Sequence, residues 1–396
     1  MIALFQPERH TPLDPIVWDE AEARAAIREI ASDALAHWDG EKLWPVHPQD
    51  DTPMPVAGLY MGASGVIWAL DYLRRQGAIE NAGDFTTSLP KLIAHDDAWL
   101  KQMPMGAYGS LLMSDLGPLL LSMRLRPSAT LSDAILSRVR DNDALPVLEL
   151  LWGAPGSMLA CRFMHDMTGD KRFQEEYVVQ AHRLINDLQD AGGFKLWSCE
   201  LYGMTMRTLG LVHGFAGNMV ALLRGWTWLD VAEQKLLAAI CEETLRATAL
   251  HDGDAANWPV DLNRPSQSPL CQICHGAPGI VTALADAPFR FEAFDRLLIA
   301  AGNLVWKAGP LAKGSNLCHG TGGNGYAFLK LYKRTGDPMW LDRARAFAMT
   351  AIAHCRTKRA EVGRGRFSLW TGDPGLAIYL WDCIRTEPAF PTLDVF

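Results

Sequence analysis

Two copies of the tripeptide Cys-His-Gly mark the residues of this chain whose types could do chemistry. The first copy spans residues 274–276 and the second spans residues 318–320. Thiolate sulfur and imidazole nitrogen are the ligands that Zn²⁺ prefers, and a site with three protein ligands keeps a fourth position for water or substrate. If the two turns meet in the fold, we therefore expect a zinc site with an open position. The spacing does not choose between His275 and His319, because each follows a cysteine directly.

The other cysteines carry weaker signals. Cys271 and Cys274 form one C-x-x-C pair, but there is no βαβ context and no second pair at zinc-finger spacing. We interpret the remaining cysteines as small buried hydrophobic residues. They are Cys161, Cys199, Cys241, Cys355 and Cys383.

Both Cys-His-Gly turns belong to an internal repeat. A G-x-x-G turn followed by small and apolar residues recurs along the chain, with one degenerate copy that begins at Ser114. Successive copies start 39 (114 to 153) to 62 (214 to 276) residues apart, which leaves room for two helices and their connections. The seven copies begin at residues 62, 114, 153, 214, 276, 320 and 372.

The segments around these turns predict two layers of helices. Each turn precedes an apolar run with few charges, which predicts an inner helix buried on all sides. Charged amphipathic segments between the turns predict seven outer helices. Because an open array needs polar capping repeats and the last unit is as apolar as the others, we expect an all-α, closed α/α toroid of seven inner and seven outer helices, with all turns at one mouth. The outer segments are 19–38, 87–101, 130–140, 171–190, 230–249, 290–307 and 339–355.

Length and composition limit the domain organisation, the partners and the cellular location that we expect. A toroid grows by adding units, so we expect a single domain over residues 1–396, with an N-terminal segment at 1–55 that includes the first outer helix and the seven turns at 55–396. A formal net charge of −8 and the lack of basic runs with interleaved aromatics predict no nucleic-acid binding. We expect no membrane span and no signal peptide, and free cysteines without a disulfide framework favour the cytoplasm. Residues 252–259 are expected in a long loop that could form a lid.

Three blocks resemble the lanthionine synthetase C-like family: KGSNLCHGTGGNGYAFLKLY at 313–332, CHGAPGI at 274–280 and VHGFAGN at 212–218. The block RFSLWTGDPGLAIYLWD at 366–382 resembles the last repeat of that family. The likeness runs from about residue 55 to the end and is closer to the glutathione-binding branch typical of eukaryotes than to bacterial peptide cyclases. It implies a sevenfold α/α barrel and one zinc ion per chain.

The resemblance also implies which residues do the chemistry. The implied zinc ligands are Cys274, Cys318 and His319. In the family the zinc activates a thiol, which adds to the β-carbon of dehydroalanine or dehydrobutyrine and leaves a thioether. Addition produces an enolate that needs a proton, and His213 matches the catalytic histidine of the family. Glu149 stands where the family often has an aspartate, and it could orient His213, take a proton or be a plain solvated acid.

Three positions compare this chain with the family and its two branches, and they bear on the substrate. Ile273 replaces the tryptophan that commonly precedes the first zinc cysteine, and Leu270 replaces an arginine of the peptide cyclases. Lys313 matches a lysine of the glutathione-binding branch, and it could pair with a glutathione carboxylate or remain a solvated surface residue. The favoured function is therefore addition of glutathione to dehydroamino acids in peptides or proteins.

Other functions stay open. One is a macrocyclase that acts on a precursor peptide, and another is a sensor or scaffold that binds zinc and glutathione without catalysis. Either thiol-adding enzyme would depend on a separate dehydratase, or on a kinase and lyase, because this chain has no dehydratase domain. A toroid glycosidase or epimerase would need paired inward carboxylates, and the turns offer only Asp115 and Asp373 in non-adjacent units.

Overall fold

The computed structural model describes residues 3–50, 52, 54–101, 110–143, 145, 147–265 and 268–396. Within these ranges, fourteen α-helices, numbered α1 to α14 along the chain, alternate between an outer and an inner layer. Residues 1–2, 51 and 53 of the predicted N-terminal segment lie outside the described ranges. The outer helices are α1 (Glu20–Ala36), α3 (Leu89–Leu100), α5 (Ala129–Asp143), α7 (Lys171–Asn186), α9 (Val231–Thr248), α11 (Glu292–Ala308) and α13 (Pro338–Val362). The inner helices are α2 (Ala63–Arg75), α4 (Leu116–Leu125), α6 (Ala154–Thr168), α8 (Phe215–Arg224), α10 (Ala277–Leu284), α12 (Thr321–Thr335) and α14 (Asp373–Arg385).

Each inner helix begins at one of the seven predicted turns, so the predicted repeat and both helix layers are confirmed. Four outer helices, α1, α7, α9 and α13, begin with an aspartate cap, as at Asp19 and in the capping box of Asp230 with Glu233. The inner helices α2, α8, α12 and α14 instead use the backbone seven residues earlier: Phe215 N donates to Thr208 O at 3.0 Å and Thr321 N donates to Gly314 O at 2.9 Å. In these four turns the segment that precedes the helix therefore satisfies its first N–H group, whereas the first N–H of α10 donates to Asn257 Oδ1.

The second glycine of each turn is required by close packing. A Cβ atom on Gly279 would overlap the carbonyl oxygen of Ile273, and one on Gly323 would overlap that of Leu317. The same carbonyl, six residues before the second glycine, is approached in all seven turns. Since Ile273 and Leu317 directly precede the cysteines of the two Cys-His-Gly turns, this packing fixes the backbone next to both thiols.

The inner helices form a closed ring. Each one contacts the next along the chain, and α14 contacts α2. The turns are also joined by backbone hydrogen bonds, including Cys318 N to Trp370 O at 2.8 Å and Trp370 N to Tyr60 O at 2.9 Å. All seven turns therefore lie at the same mouth of the barrel, as the toroid prediction requires.

Three short antiparallel hairpins were not predicted. The first two pair β1 (Gln189–Asp190) with β2 (Lys195–Leu196) and β3 (Cys199–Leu201) with β4 (Met204–Met206). The third pairs β5 (Leu250–Asp252) with β6 (Ala255–Asn257), so residue 252 and residues 255–257 form strands where a long loop was expected at 252–259. The Asp-Gly-Asp sequence forms the tip of that hairpin, where Gly253 has a φ of 61°. None of the described helices has the length and apolar character that a membrane span requires.

At the end of the barrel opposite the turns, a network of ion pairs surrounds one buried lysine. The Lys330 side chain is fully buried, and its Nζ lies 2.5 Å from a carboxylate oxygen of Asp286 and close to Asp394. Lys333 approaches the other oxygen of Asp286 at 3.1 Å. Burial opposes ionisation of Asp286, but Lys330, Lys333 and Arg224 hold the pKa of its carboxyl well below the usual range. Each charge in this network faces an opposite charge.

Candidate active site

Two thiols and one imidazole from neighbouring turns meet at the mouth of the barrel. The ligand atoms of Cys274, Cys318 and His319 all lie within 4.8 Å of one another, and Cys318 Sγ is 3.4 Å from His319 Nε2. Both cysteines are buried, whereas His319 is partly exposed. No other group of His, Cys, Asp or Glu side chains in the described ranges is placed to hold a metal ion, and His275 is not part of this one. Two sulfur donors and one nitrogen suit Zn²⁺ and leave a coordination position for a further ligand.

The electrostatics of the two thiols differ. Burial alone would raise the pKa of Cys274, but a hydrogen bond from Cys318 and the imidazoles of His275 and His319 lower that pKa well below its ordinary value. Burial raises the pKa of Cys318, and the neighbouring Cys274 raises it further. The two sulfur atoms therefore share protons as one coupled unit.

Each sulfur also accepts a hydrogen bond that sequence analysis missed. The Tyr60 hydroxyl oxygen lies 2.7 Å from Cys318 Sγ, and Gln272 Nε2 lies 2.8 Å from Cys274 Sγ. Burial raises the pKa of Tyr60 well above its usual value, so the hydroxyl keeps its proton. One signal could have identified Tyr60: it stands two residues before the first glycine of its turn, as Cys274 and Cys318 do in theirs.

His213 and Glu149 form a pair at the same mouth. His213 Nδ1 lies 2.8 Å from Glu149 Oε2, and the carboxylate also accepts from the backbone N–H groups of Leu151 and Trp152. Glu149 is fully enclosed, whereas the His213 side chain is 20% exposed. Glu149 is therefore not a solvated acid in this structure. Since a carboxylate accepts the hydrogen bond, Nδ1 carries the hydrogen and Nε2 is left to exchange a proton with a substrate.

The carboxylate changes how readily His213 holds a proton. Burial lowers the pKa of this imidazole, but the hydrogen bond and the charge of Glu149 outweigh burial and raise the pKa above its ordinary value. The ring of His275 lies nearly parallel to that of His213, with centroids 5.8 Å apart. Burial lowers the pKa of His275, and its Nδ1 has no hydrogen-bond partner among the described residues. The two imidazoles thus favour different protonation states, and His213 is the one disposed to donate a proton.

Lys313 lies at the edge of a positively charged cavity. Its side chain is exposed. Arg364 and Arg366 line the same cavity, as do Lys358 and Arg359. Arg366 is held by Asp50 at 2.6 Å. Asn316 and Thr371 also line this cavity, so it adjoins the turns that begin α12 and α14, and the buried Asp373 is part of its lining. The basic side chains outnumber this carboxyl, so the cavity can receive an anionic ligand.

The remaining sequence-based expectations concern positions 270, 273 and 271. The Ile273 side chain is completely buried, so it packs in the core where the family commonly has tryptophan. The backbone carbonyl of Leu270 accepts a hydrogen bond from Asn257 at 3.0 Å. Cys271 is buried outside the metal-ligand group, and its carbonyl accepts from Asn324 at 2.9 Å. The two cysteines of the C-x-x-C pair therefore do not act together as metal ligands, because only Cys274 belongs to the group that could hold a metal ion.

Comparisons with known proteins match most of the chain. The family described as Lanthionine synthetase C-like protein matches residues 21–395. Glutathione S-transferase LANCL1 of Danio rerio is 28% identical over 265 residues, which is 62% of this chain and 62% of that protein. LanC-like protein GCL1 of Arabidopsis thaliana is 42% identical over 208 residues, which is 50% of this chain and 46% of that protein. The matched regions thus span less than two thirds of either relative.

A solved structure shares the fold. Nisin cyclase superimposes with a TM-score of 0.65 over 91% of this chain and 95% of its own, at 16% sequence identity. At that level of identity the likeness concerns the arrangement of helices. It agrees with the ring of seven inner and seven outer helices described above.

Proposed function

The chain belongs to the lanthionine synthetase C-like protein family, and from that premise we propose that it adds glutathione to dehydroalanine or dehydrobutyrine residues in peptides or proteins. The reaction forms a thioether and uses one zinc ion per chain. The observation that carries this proposal is the convergence of the Cys274, Cys318 and His319 group with the His213–Glu149 pair at one mouth of the barrel. A structural zinc site would not need a partly exposed histidine held by a buried carboxylate beside it.

Cys274, Cys318 and His319 would hold the zinc. When bound, the ion supplies positive charge that keeps a thiol deprotonated near neutral pH. The enclosed sulfur atoms sit deepest, and His319 and His213 form the partly exposed side of the site. A substrate thiol and a dehydroamino acid can therefore approach from the mouth.

His213 and Glu149 would supply the proton that the addition reaction needs. When the thiolate sulfur bonds to the β-carbon, the electron pair of the C=C bond moves to the α-carbon and its amide as an enolate. His213 in its imidazolium form donates the proton that completes the α-carbon. Glu149 fixes the ring through Nδ1 and stabilises the imidazolium, which is the role that its enclosed position and 2.8 Å contact suit.

Two observations favour glutathione as the thiol. The relative from Danio rerio carries the name glutathione S-transferase. Glutathione has two carboxylates, and the exposed Lys313 lines a cavity that adjoins the turn of Cys318 and also contains arginine side chains. If a glutathione carboxylate pairs with Lys313, the thiol of the tripeptide is free to reach the group formed by Cys274, Cys318 and His319.

Mass spectrometry tests this function. Purified zinc-loaded protein is incubated with glutathione and a peptide that contains one dehydroalanine, and the product is weighed. We expect a mass gain of one glutathione, abolished in Cys274→Ala and retained in Cys271→Ala, a matched change at a buried cysteine outside the ligand group.

Two results would replace the proposal. If only peptides with an internal cysteine react, and form a ring without a change in mass, the protein is a macrocyclase. If zinc and glutathione bind but no peptide reacts, the protein is a sensor or scaffold.

A further inference from the structure

Each of the two thiols at the mouth accepts one hydrogen bond from a buried side chain that is itself no metal ligand. We propose that Tyr60 and Gln272 are positioning residues that tune the metal site by drawing negative charge from its two sulfur atoms, Tyr60 from Cys318 and Gln272 from Cys274. The inference rests on the proposed function, because it assigns roles toward the same zinc ion. The contacts that carry it are O···S at 2.7 Å and N···S at 2.8 Å.

The Tyr60 hydroxyl is held in place from three directions. Its ring stacks on Trp370 with centroids 5.4 Å apart. Its backbone N–H donates to Leu112 O, and its carbonyl accepts from Trp370 N, each at 2.9 Å. Tyr60 thus belongs to the first turn, is bonded to the second and seventh turns, and reaches across to a cysteine of the sixth. The ring closure of the barrel therefore fixes the distance between the hydroxyl and the sulfur.

The orientation of the Gln272 amide is set by Arg9. Arg9 Nη2 lies 3.2 Å from Gln272 Oε1, and a guanidinium can only donate hydrogen bonds. The carbonyl oxygen of the amide must face Arg9, so the NH₂ group must face Cys274. The N-terminal segment is attached to this part of the barrel by further bonds, including Asn257 Nδ2 to the carbonyl oxygen of Leu4. The segment before the first turn thereby controls which end of Gln272 meets the sulfur.

The chemical consequence follows from the charge of the site. Two thiolates and one neutral imidazole balance the two positive charges of zinc, and a substrate thiolate adds one negative charge. Hydrogen bonds to a thiolate are charge-assisted and withdraw electron density from it. With a donor on each sulfur, the metal keeps more positive character and the substrate thiol loses its proton at lower pH. Residues outside the ligand set commonly change metal affinity or activity by about 10- to 100-fold when removed.

Cobalt substitution tests the proposal without turnover. The metal-free protein is titrated with Co²⁺, and the sulfur-to-cobalt charge-transfer absorption is recorded for the wild type, Tyr60→Phe, Gln272→Leu and Arg9→Met. We expect the band to move to longer wavelength in each variant, because a sulfur without its donor holds its electrons at higher energy. The double variant Tyr60→Phe/Gln272→Leu should show the sum of the two shifts, since the donors act on different sulfur atoms.

Tyr379→Phe is the matched control. Tyr379 is equally buried, but its hydroxyl donates to a backbone carbonyl oxygen, that of Ala344, at 2.6 Å. This change should leave the band and the cobalt affinity unaltered.

The outcomes separate this inference from the function it depends on. If the wild type takes up no Co²⁺ or Zn²⁺, the metal site itself is wrong. If the wild type binds cobalt and the band stays in place in Tyr60→Phe, Gln272→Leu and Arg9→Met, the metal site stands and the tuning role is wrong. Arg9→Met leaves both barrel side chains intact, so it gives a clear result even if one of the buried variants fails to fold.

Discussion

At the glycine-turn end of the barrel, two thiols and several imidazoles converge without a carboxylate to balance the metal-ligand group, whereas at the other end Lys330 is enclosed by Asp286 and Asp394. Both regions place ionisable groups in the core. At the far end each charge has an opposite charge as its neighbour. At the mouth, the Nδ1 of His275 has no hydrogen-bond partner in the part of the chain that the structure describes, and His319 is partly open to solvent.

The two ends differ in whether their ionisable groups stabilise the fold or can bind a ligand. Buried ions that satisfy one another hold the fold together and have nothing left for a ligand, while groups that converge without mutual neutralisation can bind one. The metal-ligand group is therefore expected to respond to mutation in chemistry, and the far-end network in stability. Substitutions at each end of the barrel test this contrast.

Cys318→Ala should have the largest effect on the mouth. We expect zinc to fall from one per chain to a small fraction, and thioether formation to fall by about a thousandfold or more, because the charge that a catalytic metal supplies is worth several kcal/mol. Metal analysis and single-turnover rates give both values. Cys271→Ala should keep both zinc and activity. Full zinc retention in Cys318→Ala would contradict the proposal that this group at the mouth binds the metal.

Lys330→Met should have the largest effect at the far end, and on stability only. Removing the lysine takes away the one fully buried charge of the network, which lies between the partly buried carboxylates of Asp286 and Asp394. This loss should lower the free energy of unfolding by about 3–5 kcal/mol. Denaturant titration measures the loss, and zinc content per folded chain should not change. Lys333→Met removes an exposed partner of the same Asp286 and should cost no more than about 1 kcal/mol. Equal losses in the two variants would contradict this reading.

His213→Ala should separate proton transfer from metal binding. We expect the variant to hold its zinc but to form the thioether about a hundredfold more slowly, the usual loss when a general acid is removed. The control is His182→Ala, which removes a histidine that contacts a carboxylate of Glu233 at 2.9 Å on the surface. Normal turnover of His213→Ala would remove this histidine from the mechanism.

Glu149→Gln should move the pH dependence of the reaction. In the wild type the pKa of His213 lies above its ordinary 6.5, so the proton donor is present at lower pH and is lost as pH rises through that raised pKa. Without the carboxylate, burial dominates and the pKa falls, so activity should decline at lower pH than in the wild type. Each unit of displacement is a tenfold change in the protonated fraction above the pKa. A profile of kcat/KM against pH checks this, and an unmoved alkaline limb would contradict it.

Lys313→Met should have the smallest effect. An exposed charge contributes about 1 kcal/mol or less to an ion pair, so the KM for glutathione should rise by only about two- to fivefold, with kcat nearly unchanged. The matched control is chemical: reaction with a small uncharged thiol should be indifferent to the substitution. An equal loss with both thiols would show that Lys313 does not recognise a carboxylate.

The helices could be predicted because two independent periodic signals agree. The glycine turns mark where inner helices begin, and the charged amphipathic segments mark the outer ones. The hairpins could not be predicted, because strands of two or three residues show no alternation of apolar and polar positions. The Asp-Gly sequence at residues 252–253 was a usable turn signal, and it lies at the tip of the third hairpin.

Contacts between distant turns limited what could be predicted of the site. Tyr60 and Cys318 are 258 residues apart, and no local pattern relates a tyrosine to a thiol. Aligning the turns on their first glycine would have helped, because Glu149, Gln272 and Asn316 then occupy the same position, four residues earlier. All three make hydrogen bonds at the mouth: to His213, to Cys274 and to the backbone N–H of His319.

The closure of the ring between the seventh and first turns has a consequence for how the molecule unfolds. In an open repeat array, the end units have one neighbour each and fray first, so the array loses its structure in steps. Here every inner helix has two neighbours, because α14 contacts α2. We therefore expect hydrogen-exchange protection to be similar in all seven inner helices, without a gradient toward the first or last repeat. The seven turns at the mouth should then unfold together in one cooperative event, so that the thiols and imidazoles separate at the same time.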